Sequence, residues 1–548
     1  MAGRIFQYFV ASMLLMQLAY AQATREWVNR FNGADNRFDI SNSLKLDASS
    51  NVYVYGSSAS TTTTSDIAII KYSSAGNVLW TRLFNGYGNS IDEINSSYLD
   101  DSGNSFICGY TADTSQVIKV ITQKYNTAGT LLWSRVFLPP AYNQGYGNSI
   151  TVSPSGDVYS ASSLRRSNGS YVIAVLKYSQ DGIPLDTAYF SKTAASTEAA
   201  VTVCTDNSGA VYLLGKTNAV SGADDILMLK YDGALNLEWQ NTFSGTAVGS
   251  DIPVQMLISK DNKIVVCAGM RNLPGGLDYG LYRFDTNAAL IMIYRYNGTG
   301  NDQDLPYSVT CDSANNIYVT GSSRNADTLG SEDFYTIKLD PTSQVLWEKR
   351  YNGTGRGLDY GTSVAVDRFG NVYAGGCTDK HENHIGYAVL KYGPTGDLLW
   401  LEEYSRLELS EDFVYTVAVD NSLNVFVTGI SFDSTTDYDI ATIKYSQAIG
   451  VQNISNEIPE GFELHSPYPN PFNPGTTILF DIPQTGNNNI MLEIYDTGGK
   501  LVEILAEGFY LPGRYKVKWD AGKYSSGIYF CRMVAGKYRF THKIVLAK

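Results

Sequence analysis

A Lys-Tyr mark returns along this chain at a nearly fixed interval. It stands at Lys71-Tyr72, Lys124-Tyr125, Lys177-Tyr178 and Lys230-Tyr231, changes to Arg283-Phe284 and Lys338-Leu339, and resumes at Lys391-Tyr392 and Lys444-Tyr445. Of the seven intervals between these eight marks, six are 53 residues and one is 55. A period of that length means supersecondary units that are unstable singly and must stack on their neighbours. Whatever this chain folds into is therefore an array.

Two further markers keep the same beat. Nine residues after each basic mark stand Trp80, Trp133, Asp186, Trp239, Met292, Trp347 and Trp400, and Trp27 lies one period before Trp80. An alternating stretch ends on Asp47, Asp100, Ser153, Asp206, Ser259, Asp312, Asp367 and Asp420, each followed by a turn such as Asp367-Arg368-Phe369-Gly370-Asn371. Asp opens such turns by bonding nearby backbone, and Gly or Asn accepts the left-handed conformation. A β-rich run follows, for example Val372-Tyr373-Ala374. Each unit reads as four short strands: an alternating inner strand, a Val-Tyr-Val strand, a strand ending in Lys-Tyr and a Trp strand. The expected fold class is all-β, an eight-bladed β-propeller with four-stranded blades. An open β-solenoid is the alternative. The chain opens on a Trp strand (27–31) and closes on the other three strands (415–445), so its two ends together complete one blade and remove an exposed edge.

The blade pattern Val-Ala-Val-Asp, Gly370-Asn371-Val372-Tyr373, Lys391-Tyr392 and Leu399-Trp400 resembles the SBBP type of bacterial β-propeller repeat. The resemblance covers residues 27–445. It implies a propeller in an extracytoplasmic setting and no particular reaction.

The first residues fit that setting. Arg4, the apolar run 6–18 and Ala19-Tyr20-Ala21 read as a cleaved export signal over residues 1–21. No later segment approaches twenty apolar residues, so no transmembrane segment is expected. The formal net charge is −13 with no basic cluster, which argues against nucleic acid as a partner. The six cysteines show no CxxC pair and are expected as buried free thiols.

The domain plan is then the signal peptide at 1–21, the propeller at 22–446, a linker at 447–466 and a small Ig-like β-sandwich at 467–548. Strands are expected at 477–482, 490–495, 500–505, 515–519, 528–534 and 540–546. The tail resembles the C-terminal sorting domain of type IX secretion cargo. The resemblance rests on Tyr468-Pro469-Asn470-Pro471-Phe472-Asn473-Pro474, Ile494-Tyr495-Asp496 with Gly499-Lys500, Trp519-Asp520, Ser526-Gly527-Ile528-Tyr529-Phe530 and the terminal residues 543–548. It implies Pro469, Asn470, Pro471, Asn473, Pro474, Gly499, Gly527 and Lys548 as sorting-motif residues. It also implies the type IX secretion machinery as partner, and a secreted or outer-membrane-surface location.

One set of recurrent acids suggests chemistry. Asp39, Asp92, Glu198, Asp251, Asp304, Asp359 and Asp412 each stand eight residues before the turn position, with Gly145 the one exception. Asp66, Asp225, Asp278, Asp333 and Asp439 precede the third strands on the same expected face. Two readings are open. The acids form a negative rim around the channel mouth that attracts cations, calcium among them, or each bonds backbone N–H groups inside its own blade. The repeated Lys is expected to pair with carboxylates or to lie along the blade surface. His381-Glu382-Asn383-His384 lacks zinc-protease spacing, and no nucleophile elbow or phosphate loop is present.

The favoured reading is a non-catalytic binding or scaffold protein with no cofactor and a glycan or protein ligand. The alternatives are a polysaccharide-acting glycosidase or lyase using paired carboxylates, or a quinone-dependent dehydrogenase, whose blade signature Gly76-Asn77-Val78-Leu79-Trp80 resembles. Functional residues are expected where the beat breaks: Gly145, Asp186, Met292, the two-residue insertion between Tyr318 and Lys338, and the loop at His381.

Overall fold

The computed structural model describes residues 23–548 except 219–221, 273–275, 325–331, 356, 381–383, 408–410, 448–451, 456–457, 485–488, 511 and 523. The export signal, the insertion loop at 325–331 and His381-Glu382-Asn383 lie outside the described residues. Among the described residues every regular element is a β-strand. They form two compact units, residues 24–446 and residues 447–548.

The first unit is the propeller. Blade 1 shows the plan: inner strand Asp39–Leu46, second strand Val52–Ser60, third strand Thr64–Tyr72 and outer strand Val78–Phe84, paired antiparallel in that order. Blades 2 to 7 repeat it at residues 92–137, 144–190, 197–243, 252–296, 304–351 and 360–404. Blade 8 is composite. Asp412–Val419, Val425–Asp433 and Asp437–Gln447 supply three strands, and Ala23–Phe31 supplies the outer one. The described residues of this unit thus form eight four-stranded sheets. Each inner strand contacts the inner strands of the blades on either side, and the inner strand of blade 8 contacts that of blade 1.

Both faces of a blade are covered by neighbours, so the middle strands are near-continuous buried runs. In blade 1, residues 52–58 of the second strand and 67–72 of the third are all buried. Each of the eight inner strands carries a register shift near its centre, as at Ser41/Ser43, which turns the side chain between them aside. Asn42 and Asn95 use that position to donate to Ile94 and Gly147 carbonyls of the next blade.

A shared carbonyl joins blade to blade. Lys71 Nζ and Trp80 Nε1 of blade 1 both donate to the Thr127 carbonyl in a turn of blade 2, at 3.3 and 3.1 Å. Lys124 and Trp133 do the same at Gln180, and Lys338 and Trp347 at Pro394. Lys444 and Trp27, from opposite ends of the propeller segment, converge on the Ser74 carbonyl at 3.1 and 3.3 Å. The ring closes on the same contact that holds these three interior junctions.

This contact also explains the turn glycines. Gly76 has φ +87°, and a Cβ there would meet the Trp27 ring at 2.8 Å; Gly129, Gly182 and Gly396 stand in the same relation to Trp80, Trp133 and Trp347. Where the Trp is replaced, the turn one blade on has no glycine at that position. Opposite Asp186 the turn residue is Leu235, buried in the same cluster as Tyr159, and opposite Met292 it is Ser343. The repeated Lys or Arg is therefore a structural clasp. It lies over a ring of its own blade, as Lys71 does over Tyr53 at 4.4 Å. Some copies also pair with a carboxylate, as Lys177 does with Asp157 at 3.0 Å.

The second unit is a sandwich. One sheet holds, in order, strands Gln452–Ser455, Gly513–Asp520, Gly475–Ile482 and Glu463–Leu464; the other holds Leu501–Phe509, Asn489–Asp496, Gly527–Ala535 and Tyr538–Leu546. All six expected tail strands are present. The expected linker at 447–466 is corrected: two short edge strands within it pair with the sandwich. Gln452 pairs with Lys516 and Leu464 with Phe480, and buried Leu464 joins the core around Trp519, Phe480 and Leu492. Runs of two and four residues are too short to show alternation, which hid them. All six cysteines are free. Burial pushes the Cys108, Cys377 and Cys531 thiols up to about 12.

The closure contact predicts that Trp27→Ala costs about 2–3 kcal/mol in urea unfolding of the mature chain, somewhat under the value for a fully buried ring. Trp80→Ala at an interior junction should cost a similar amount. A Trp27→Ala variant as stable as wild type would contradict the closure.

Candidate functional site

The recurrent acids open the inner strands, and the fold buries them. Asp39, Asp92, Glu198, Asp304, Asp359 and Asp412 are fully buried, and Asp251 is nearly so. Of the two readings open from the sequence, their burial and hydrogen bonds fit the one in which each acid serves its own blade. Each acid bonds its own blade in a recurring pattern. Asp359 accepts from the Gly353 N–H at 3.1 Å, the Thr378 hydroxyl at 2.5 Å and the Asp379 N–H at 3.0 Å. Asp304 accepts from Gly298 N–H at 2.6 Å, the Ser323 hydroxyl and Arg324 N–H at 3.2 Å. Gly33, Gly86 and Gly245 donate to Asp39, Asp92 and Asp251 at 2.6, 2.7 and 3.0 Å, Arg406 N–H donates to Asp412 at 3.3 Å, and Thr217 donates to Glu198 at 3.1 Å. The acids pin the incoming loop to the end of the second strand. The loop glycine is required by space, since a Cβ on Gly33 would meet Ser58 Oγ at 2.3 Å.

Five of these acids also lie close enough to the third-strand acid of the preceding blade for repulsion. The pairs are Asp39 with Asp439, Asp92 with Asp66, Asp251 with Asp225, Asp304 with Asp278, and Asp359 with Asp333. Burial, reinforced by that repulsion, pushes Asp39 and Asp359 up to about 6 and raises Asp92, Asp251 and Asp304. Two of the third-strand partners are held by arginines of their own blades, Asp439 by Arg30 at 3.0 Å and Asp333 by Arg350 at 2.9 Å. At Gly145 the pattern turns apolar. Leu164 stands opposite it where Ser58 stands opposite Asp39, and Leu164, Val120 and Leu138 fill the space.

The inner strands line a channel that holds a cavity of about 560 Å³. Past the bulge, alternate residues face it in layers. One layer is Ser43, Ser96, Ser149, Thr202, Gln255, Ser308, Ser363 and Thr416. Several of these side chains accept the inner-strand N–H of the next blade: Ser96 from Ile150, Ser149 from Val203, Gln255 from Val309, Ser308 from Val364 and Ser363 from Val417, at 3.0–3.4 Å. The next layer holds Lys45, whose counterparts Tyr98, Thr151, Cys204, Leu257, Thr310, Ala365 and Ala418 are all uncharged at neutral pH. Lys45 lines the cavity and is the one charged residue among the described residues that does. Aligning the inner strands column by column isolates it as one cation in an otherwise uncharged column.

In the sandwich, the sorting-motif residues Pro469, Asn470, Pro471, Asn473 and Pro474 are exposed and form one seam with the last strand. Asn470 donates to the Lys543 carbonyl at 2.8 Å and accepts from Val545 N–H at 2.9 Å. Phe472 exchanges backbone bonds with Val545 and Ala547 and packs on Trp519. The Pro469 and Pro474 carbonyls accept from Thr476 and Ala521. Gly499 takes φ +76° in the Asp496 turn, Gly527 pairs with Leu546, and Lys548 Nζ reaches the Gly522 carbonyl at 2.6 Å. Glu463, His465 and Asp481 cluster nearby, but both Asp481 oxygens already accept from Arg514 at 2.7 and 2.8 Å. That cluster is an ion-pair network.

This seam coincides with a family match over residues 466–547, described as a secretion system C-terminal sorting domain. The tail is a sorting domain. It indicates export through the type IX secretion machinery, to the surface or the medium. Residues 349–380 match the β-propeller repeat named SBBP. No curated protein sequence matches the chain. Among solved structures it is similar to a fungal alcohol oxidase of the AA5 family in complex with copper, at 12% identity and TM-score 0.37, covering 82% of this chain and 96% of that one. The WD40 domain of SCAP from fission yeast is similar at 9% identity and TM-score 0.39, covering 76% and 94%. Drosophila Plexin A in complex with Semaphorin 1b is similar at 10% and 0.36, covering 77% and 88%. These scores carry no functional argument. No helix among the described residues is long and apolar enough to cross a membrane.

The raised acids have a signed consequence. A folded pKa above the unfolded value means stability is full below about 4 and is lost as pH rises through about 6. The turn acids Asp47, Asp206 and Asp312, held below the usual carboxylate range by hydrogen bonds to Asn51, Ser208 and Asn316 that outweigh their burial, act oppositely and need pH above about 4. Thermal unfolding of the mature chain should therefore be highest near pH 5 and fall toward pH 7.5. A Tm rising steadily from 5 to 7.5 would contradict the raised acids. Because each inner-strand acid already accepts from its own blade, added calcium should leave Tm unchanged. A calcium-dependent rise would restore these acids as ligands.

Proposed function

We propose that the protein is an exported, non-catalytic binding scaffold. Its ligand, a glycan or a protein, contacts the loops that lead into the inner strands. What supports this is the contrast within those loops. Their repeated residues, the loop glycine and the inner-strand acid, are held inside the blade, while the tips between them differ from blade to blade. Tyr87 and Val248 stand there 87% and 94% exposed, with Phe38, Leu358 and Leu407 also exposed. Apolar side chains held out at loop tips on one face are what a docking surface needs. The Asn470 seam supports a sorting signal read from the folded sandwich, because it fixes the Pro-rich motif and the C-terminal strand as one surface.

A glycan and protein array probed with the mature chain, scored for both binding and cleavage, tests the reading. Binding without cleavage is expected, reduced by Tyr87→Ser with Val248→Ser at unchanged Tm. Cleavage of any polymer would make the protein an enzyme instead. For export, removing residues 447–548 should leave the propeller in the periplasm, and Asn470→Ala should lower surface display. Normal display of the truncated chain would refute the sorting role.

A further inference from the structure

The Lys45 ammonium makes no hydrogen bond or ion pair with any described residue, and among the described residues no carboxylate lines the cavity beside it. Its side chain meets water in the channel while the surrounding inner strands strip part of its hydration, which pushes its amine below the ordinary lysine range. A cation in that position lacks a counter-charge.

The hydroxyl layer beside it is polarised in a complementary sense. Ser308 and Ser363 accept the N–H of Val364 and Val417. With an oxygen lone pair occupied in this way, each hydroxyl keeps its proton to donate. Gln255 likewise accepts through Oε1 from Val309 and keeps its amide hydrogens. Thr310 lies in the Lys45 layer and Thr416 in the serine layer, both on the cavity wall. The wall is therefore rich in donors, carries one ammonium and has no acidic side chain.

The structure assigns this part of the channel as a binding site for a small oxyanion, a carboxylate or sulfate group on a molecule that fits about 560 Å³. Lys45 supplies the charge, and Gln255, Ser308, Ser363, Thr310 and Thr416 supply neutral hydrogen bonds. The inner strands that hold these groups also carry the blade-to-blade bonds, so the donors are fixed before any ligand arrives. The site is separate from the loop tips and goes beyond the scaffold reading.

The test is calorimetry and thermal shift on the mature chain with galacturonate, inorganic sulfate and neutral galactose. Galacturonate or sulfate should bind and raise Tm, while galactose should bind at least about tenfold more weakly than the better anion. Lys45→Met and Lys45→Gln should each weaken anion binding by about tenfold or more, and Lys45→Arg should retain it. Which of the two anions binds separates a carboxylate from a sulfate ligand, and either result supports the site. The proposal is overturned if neither anion binds, if galactose binds as well, or if both uncharged variants bind as wild type does. Array binding that survives Lys45→Met keeps the loop-face reading whatever happens in the channel.

Discussion

A backbone carbonyl at the blade junction, approached at four junctions by both a Lys and a Trp from the preceding blade, is the contact on which the propeller depends. The second and third strands bury both faces against neighbours, so a blade has no stable surface of its own. The shared carbonyl sets how far the next blade is turned and how close it stands. A single neutral hydrogen bond contributes only about 0.5–1.5 kcal/mol. The contact matters because it comes with a ring packed on a glycine turn and a cation over an aromatic face, repeated around the array. At Ser74 the two donors come from residues 27 and 444, so the ends of the propeller segment are held by the same interaction as junctions in its interior.

That dependence accounts for most of the conserved-looking beat without invoking a ligand. The Lys, the Trp, the turn glycine, the inner-strand acid and the turn Asp each have a structural partner. The turn Asp is the simplest case: Asp367 accepts from Phe369 and Asn371 N–H and from the Asn371 side chain. At two breaks in the beat the facing residue changes too, Asp186 with Leu235 and Gly145 with Leu164. Both are changes of packing. The less regular places, the loop tips and one channel lysine, are where binding is assigned.

The blade plan, the turns and the tail strands were legible because they rest on local rules of period two, turn chemistry and spacing. The pairing of Trp27 with the last three strands was legible for the same reason. Burial of the acids was not, because a carboxylate before a strand has the same letter whether it faces water or a backbone N–H. Their mutual repulsion across blades joins residues 26 apart in most pairs and 400 apart in the pair at closure, which no local pattern shows. Lys45 was visible in the sequence but stands out only when the eight inner strands are laid over one another. The edge strands at 452–455 and 463–464 were too short to read.

The central claim is that the composite blade is closed as firmly as the others. Native-state hydrogen exchange on the mature chain measures this directly, strand by strand. Amides in the second and third strands of blade 8 and of blade 1 should open with the same free energy as those of blades 3 to 5, as parts of one cooperative ring. Selective early exchange in residues 425–447, with the interior blades still protected, would contradict it.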